Sequence, residues 1–344
     1  MVCCLDNVTK REKKSSVFID GKRIRQTEIS EWENLTAYSN RRLNSQNLGT
    51  ALKLHWSIDR ITVVGETKLF ERMFPDGSVQ IYGFDKIFEV LVAQGRAEAV
   101  AKGWKILDEY GENIAYAEEL EHHKGKARID FNPNRLGSFL ETDLKDFFGK
   151  ILKNAHFSRA DVACDLINIP NEYITQYTIT SDVKSIKYYS RTGELQTAYW
   201  GSRSSERQVR MYNKMVEQLQ KGKVIPKDVS SWWRLELQLR RDKASNWANI
   251  VRDSLSEFCS PFFFPLDLSA TDKVMLTGLF ADETLWSSIS KNSRTKYKKI
   301  QQQIAKDDAL TRLLSETFEE EVIRLNEELS SWLLGLNIIN DNDN

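Results

Sequence analysis

The sequence predicts an α+β fold: a central, mostly antiparallel sheet carrying the active site on one face, flanked by helices and followed by a helical C-terminal region. Three observations point to it. Several segments in the middle of the chain alternate polar and apolar residues with period two, as half-buried strands do. Segments of helical period lie between and after them, without the strand–helix alternation or glycine fingerprint of a dinucleotide fold. Of the 344 residues 41% are hydrophobic and 28% charged, enough apolar material for a real core.

Element by element, residues 1–45 are polar and weakly periodic and are expected to form a flexible or partly helical basic arm. Residues 46–270 are expected to form the catalytic domain. Its first strand is LHWSIDRITVVGE (54–66), rich in β-branched residues and closing at Gly65. SVQIYGF (78–84) follows the turn PDGS as a second strand. Residues 88–111 mix Ala, Leu and Lys at helical spacing, interrupted by Gly95. KARIDFNPN (126–134) reads as a strand that stops at Asn-Pro. Residues 140–155 read as an amphipathic helix with Leu144, Phe147, Phe148, Ile151 and Leu152 on one side and Thr142 as its cap. HFSRADVACDLIN is strand-like. KSIKYYSR and QTAYWGSR flank RTGE as a hairpin. RQVRMYNK is a further strand, followed by a short helix ending at Gly222. SSWWRLELQLRR (230–241) alternates again. Beyond Asp242 the chain reads as helical, and 271–344 is expected to be a helical region serving origin recognition or dimerisation, with its long helix breaking near Asp307. No internal repeat stands out.

Other classes are set aside by what the sequence lacks. No apolar run is long enough for a membrane span, and no apolar segment near the N-terminus reads as a secretory signal, so a cytoplasmic location is expected. The four cysteines make no disulfide framework in a chain this long, and no spaced Cys or His pairs suggest zinc. There is no GxxxxGK[ST] loop for a nucleoside triphosphate. Formal net charge is zero, but its distribution is uneven. KNSRTKYKK is wholly basic, and its Lys291, Arg294, Lys296, Lys298 and Lys299 are candidates for phosphate contact. A solvated helix face explains such a run equally well.

Chemistry gathers on three strands. Alternation puts Arg159, Asp161 and Asp165 on one face of the first, Arg210, Tyr212 and Lys214 on one face of the second, and Arg234, Glu236 and Gln238 on one face of the third. Asp59 comes from the strand at 54–66. A tyrosine between two cations could be a phosphate-facing nucleophile. It could also be an ordinary rung of a sheet, and from that segment alone the plainer reading leads. The phenol is a poor nucleophile at neutral pH, and adjacent cations favour its phenolate. Carboxylates could hold Mg²⁺ or Mn²⁺, polarising a phosphodiester, while Arg and Lys clamp its oxygens. The product would be a 5′-phosphotyrosyl enzyme with a free 3′-hydroxyl. Asp161 and Asp165 lie roughly 13 Å apart on a strand and cannot share one ion unless it bends, so Asp165 fits better as a salt-bridge partner. Glu236 fits a cross-strand ion pair as well as a metal. Trp232 and Trp233 read as core residues.

The order DRITVVGE, RIDFNPN, FSRADVACD, AYWGSRSSERQVRMYNKMVEQ and WWRLELQLRR resembles the Rep-trans family of rolling-circle initiators, also called the replication initiation factor family, over roughly residues 54–245. The block at 201–214 carries most of the likeness. The family comprises plasmid Rep proteins of Gram-positive bacteria and related relaxases of integrative elements. The resemblance implies nicking of one strand at a plasmid double-strand origin through Tyr212. It implies a metal centre at Asp161 and Glu236, with Asp59 a weaker third, and phosphate-facing Arg210, Lys214 and Arg234. It further implies homodimers and recruitment of a host helicase. No His-x-His motif of the distantly related nickases occurs, which leaves the metal to carboxylates.

Overall fold

Ten strands form one antiparallel sheet in the computed structural model of the chain, which describes residues 17–19, 22–24, 52–179, 184–260, 264, 268–282 and 284–334. Within the N-terminal stretch β1 (Val17–Ile19) and β2 (Lys22–Ile24) pair as a hairpin; the rest of the expected arm lies outside the described residues. There follow β3 (Lys53–Thr67), a small hairpin of β4 (Phe70–Met73) and β5 (Val79–Tyr82), then helix α1 (Phe84–Ala93). Next come β6 (Ala97–Val100), β7 (Gly103–Leu107), β8 (Asn113–Glu119), β9 (Lys126–Phe131), α2 (Ser138–Ile151) and β10 (Leu152–Ile167). After α3 (Asn171–Ile174) and β11 (Thr178–Ile179) stand β12 (Ser185–Tyr189), β13 (Leu195–Trp200), β14 (Arg207–Asn213), α4 (Lys214–Gln220) and β15 (Trp232–Arg240). The chain closes through α5 (Asp242–Ser245), α6 (Trp247–Ser256), β16 (Phe258–Cys259), α7 (Ala270–Ala281), α8 (Leu285–Ser288), α9 (Lys291–Asp307) and α10 (Ala309–Leu334).

The sheet order is β12-β13-β14-β15-β10-β3-β9-β8-β7-β6. It is symmetric in connectivity about the central pair. After β3 a four-strand meander, β6 to β9, returns beside β3; after β10 another, β12 to β15, returns beside β10. The sequence shows no repeat, so this symmetry is visible only in the pairing.

One face of the sheet is apolar. Trp56, Ile58, Ile129, Val162, Cys164, Met211, Leu235 and Leu237 are buried there in one core with Phe148 of α2 and Leu314, Phe318 and Trp332 of α10. Helix α10 is tied down at several points. Trp56 Nε1 donates to Thr317 Oγ1 at 3.1 Å, Arg324 donates to the Trp56 carbonyl at 2.8 Å, and Phe131 and Trp332 meet with ring centroids 4.4 Å apart. The last helix is thus a wall of the sheet's core. Residues 271–304 contribute a smaller cluster of their own around Leu276, Leu279, Tyr297 and Ile304. The long helix breaks at Asp308, whose carboxylate accepts from the Thr311 N–H at 2.9 Å and caps α10.

Two expectations are corrected. Residues 88–111 do not form one helix: α1 ends at Ala93, Gly95 takes φ +70°, and the chain continues as the β6–β7 hairpin. Gly103 packs so closely on β8 that a Cβ there would lie 2.2 Å from the Ala117 carbonyl oxygen. Thr142 is not the cap of α2, which begins at Ser138 after Gly137.

Candidate active site on the polar face of the sheet

The other face of the central strands carries the ionisable groups, and the registers fix which of them are neighbours. Four successive rungs cross the sheet. The first joins Tyr212, Arg234, Asp165 and His55. The second joins Tyr199, Arg210, Glu236, Ala163 and Ser57. The third joins Gln208, Gln238, Asp161 and Arg60, and the fourth Arg240, Arg159, Thr62 and Asp130. Asp59 enters through a bulge. The pairing steps from Ile58 opposite Val162 to Arg60 opposite Asp161, so Asp59 is the extra residue and reaches the polar face beside Arg60.

Tyr212 sits among cations, as its sequence neighbours suggest. The Lys214 ammonium donates to its hydroxyl at 3.2 Å, and the Arg210 guanidinium lies over its ring at 4.4 Å. Its ionisation is nevertheless shifted upward. Burial, with the tyrosine only 9% exposed, outweighs the pull of Lys214, so the phenol stays protonated in the free protein. The flanking cations do favour the phenolate, as expected, but burial outweighs them. Lys214 also pairs with Glu217 at 2.9 Å. Arg210 pairs with Glu236, and its buried Nε has no hydrogen-bond partner.

Arg234 does not face solvent. It is fully buried and forks onto Asp165 at 2.7 and 2.6 Å, with its third nitrogen on Asp59 at 2.8 Å. Its charge is already matched by Asp165 and Asp59, so in this arrangement it does not stand where the expected phosphate-facing role would place it. Asp165 is the salt-bridge partner that its spacing from Asp161 suggested.

Asp59, Asp161 and Glu236 stand on neighbouring strands and repel one another. Burial and then Glu236 push Asp59 up to about 6; burial, with a further contribution from Glu236, lifts Asp161 to about 6 against the pull of Arg159. Oxygen donors under mutual repulsion suit a hard divalent cation. Their placement is less suited. Asp161 is forked onto Arg159 at 2.8 and 2.5 Å, Glu236 pairs with Arg210, and Asp59 pairs with Arg234. Among the described residues no three His, Cys, Asp or Glu side chains are gathered so as to hold an ion. The donor chemistry fits the cation, and arginines hold the carboxylates in this arrangement.

The basic run on α9 is divided in use. Arg294 donates to the carbonyls of Trp286, Ser287 and Ile289, and Lys296 pairs with Asp272 at 2.6 Å. Lys291 and Lys299 are exposed, and Lys298 is partly buried. Trp232 and Trp233 are both buried, as core residues are. Sequence reasoning missed Arg60 and Glu217 as site members. Alternation put Arg159 on the right face, but only the register shows what it holds.

Residues 155–258 match the replication initiation factor family. That stretch contains Asp161, Arg210, Tyr212, Lys214, Arg234 and Glu236, and leaves out Asp59. Over that stretch the chain resembles the replication initiation factor family. The chain is similar to replication initiation proteins of Staphylococcus aureus. One is 28% identical over 301 residues, covering 86% of this chain and 90% of the relative; another is 28% identical over 306 residues, covering 86% and 91%. A solved rolling-circle replication initiator from Geobacillus stearothermophilus matches at 16% identity and a TM-score of 0.37, covering 67% of this chain and 96% of that one.

Proposed function

We propose that this chain is a replication initiation factor that starts rolling-circle replication of a plasmid by cutting one strand of the double-strand origin with Tyr212. The observation that carries the reading is the setting of Tyr212, a buried phenol held between the Lys214 ammonium and the Arg210 guanidinium on the polar face. The phenol oxygen attacks the scissile phosphorus and the bond to the 3′ oxygen breaks. The phenol loses one proton and the departing 3′ oxygen gains one. No water is consumed, so the phosphotyrosyl link can be reversed when the strand is rejoined. Arg210, with an unpartnered buried Nε, and Lys214 clamp the non-bridging oxygens. Arg234 holds Asp165 and Asp59 in place. Asp161, Glu236 and Asp59 would hold Mg²⁺ or Mn²⁺ once Arg159 and Arg210 turn to the phosphates; when bound, the ion would supply positive charge to the phosphoryl oxygens as the phosphorus is attacked. Working as a homodimer and recruiting a host helicase complete the proposal.

A relaxase of an integrative element would use the same site and differs only after the nick. A regulator that binds DNA without cutting it has one observation in its favour: the phenol is protonated and every carboxylate is paired with arginine. The test mixes the protein, Mn²⁺ and labelled single-stranded oligonucleotides tiling its own replicon, followed by a denaturing gel. A covalent adduct lost in Tyr212→Phe, with binding retained, is the expected result. Cleavage without adduct would indicate a hydrolytic nuclease, and a specific mobility shift on duplex without cleavage would indicate the regulator.

A further inference from the structure

The fourth rung of the polar face has an arrangement that proteins usually avoid. Arg159 and Arg240 are directly opposed across the β10–β15 ladder. Like charges in that position destabilise an antiparallel pair. Arg60 joins them from β3, one rung away opposite Asp161. Two of the three have acids, Arg159 with Asp161 and Arg60 with Asp130. Arg240 reaches only the carbonyls of Arg203 and Ser205 and the amide oxygen of Gln238, and among the described residues no carboxylate lies within ion-pair distance of it. The next residue adds to the excess. Arg241 has φ +52° and ψ −131°, backbone that glycine takes without strain, and its side chain is 79% exposed with one long contact to Glu206 at 3.5 Å. Nothing in the packing of the fold asks for an arginine there.

We propose that Arg159, Arg240 and Arg241 form a second phosphate-binding subsite, which grips the DNA strand several nucleotides away from the phosphate attacked by Tyr212. The inference rests on the polar face being the DNA-binding face. From Arg234, on the tyrosine's rung, to Arg240 is six residues of one strand, about 20 Å. That span takes several phosphates of an extended single strand. Of the two intervening rungs, the one next to Arg240 carries Gln208 and Gln238 on β14 and β15, neutral amides that can meet sugar or base without an added charge. A phosphate between Arg159 and Arg240 removes their repulsion, and bidentate guanidinium contacts suit it. Opening the Arg159–Asp161 fork toward that phosphate would also release Asp161, one of the three carboxylates of the site. Strand binding and exposure of the carboxylates are thereby coupled.

The test measures fluorescence anisotropy of labelled dT12 against salt, using Tyr212→Phe protein so that no covalent step intervenes. Each phosphate contact on a single strand contributes about 0.7 to the slope of log affinity against log salt. Arg240→Gln and Arg241→Gly should each lower the slope by about that amount, and Arg240→Lys should keep it. Arg241→Gly should leave the melting temperature unchanged or raise it, so weaker binding cannot be put down to a damaged fold. Lys105→Gln, on the outer half of the same sheet and paired with Glu98, should change nothing. Unchanged slopes in both arginine variants would overturn the subsite. So would an equal loss in Arg240→Lys and Arg240→Gln, which would mark Arg240 as a strut for the carbonyls it touches. These readings do not depend on the nucleophile. If the subsite holds and no Tyr212-dependent adduct forms on replicon oligonucleotides, the cutting mechanism fails and the strand-binding face stands.

Discussion

Arg234 makes clear how burial assigns roles among residues of one charge type. Arg210, Lys214 and Arg234 read alike in sequence, three cations near a tyrosine. Arg210 keeps an unpartnered buried nitrogen and Lys214 touches the phenol, whereas Arg234 is fully buried and forked onto Asp165. A buried pair of this kind contributes little over a hydrophobic substitute, but breaking it from one side leaves a charge in a dry site. Arg234→Met should therefore cost about 3–5 kcal/mol in urea unfolding. Adding Asp165→Leu should recover most of that loss. A single-variant cost below about 1 kcal/mol, the range of exposed pairs, would mean that the fork does not hold the sheet together. This residue-scale difference was not legible in the sequence. Side-chain alternation gives the face, while the partner depends on register, and register is set by strands far apart in the chain. The same limit hid the dominant influence on Tyr212: its cations are neighbours in sequence and pull as expected, while the burial that outweighs them is a property of the assembled sheet.

At the scale of elements, the legible parts are those where period and packing agree. In LHWSIDRITVV the apolar positions fall at 54, 56 and 58 and then at 61 and 63. That three-residue step is the bulge that turns Asp59 toward the site. The strands β10, β14 and β15 were legible because each carries apolar residues on one face and ionisable groups on the other. The β6–β7 hairpin was not, because AEAVAKGWKIL is rich in good helix formers. Its strand character comes from pairing with β8, where Gly103 lets two backbones touch. Helix α10 is the clearest case of tertiary context deciding an assignment. Its sequence reads as a separate helical tail, yet it closes the core beneath the active strands. Trp332→Ala should cost about 3–5 kcal/mol, read as a lower urea midpoint for the whole sheet. Leu334→Ala, on a side chain 69% exposed, should stay within about 0.5 kcal/mol. If the tryptophan change left the main transition in place and melted only a small helical part, α10 would be an appendage of the kind its sequence suggested.

For the whole molecule, a net charge of zero conceals a division of labour between faces. The polar face spends most of its cations on its own carboxylates and keeps a surplus at the fourth rung. Helix α9 offers a second basic surface, and the structure separates its residues into two kinds. Arg294 and Lys296 are committed, to backbone carbonyls and to Asp272. Lys291 and Lys299 are exposed. If α9 reads duplex origin DNA while the sheet handles the cut strand, the two surfaces should respond separately. Lys291→Gln with Lys299→Gln should weaken binding to duplex origin and lower its salt slope by about 1.8, which is about 0.9 for each phosphate of B-form DNA that the variant no longer neutralises. Adduct formation on a single-stranded oligonucleotide carrying the nick sequence should stay at the parent rate, because neither lysine belongs to the sheet. Arg294→Gln should act differently. It removes donors that hold three carbonyls at the end of α8, so it should lower the melting temperature before it changes any DNA contact. A duplex slope unmoved by the double lysine change would take α9 out of DNA recognition and leave the sheet's polar face as the surface that meets both forms of the origin.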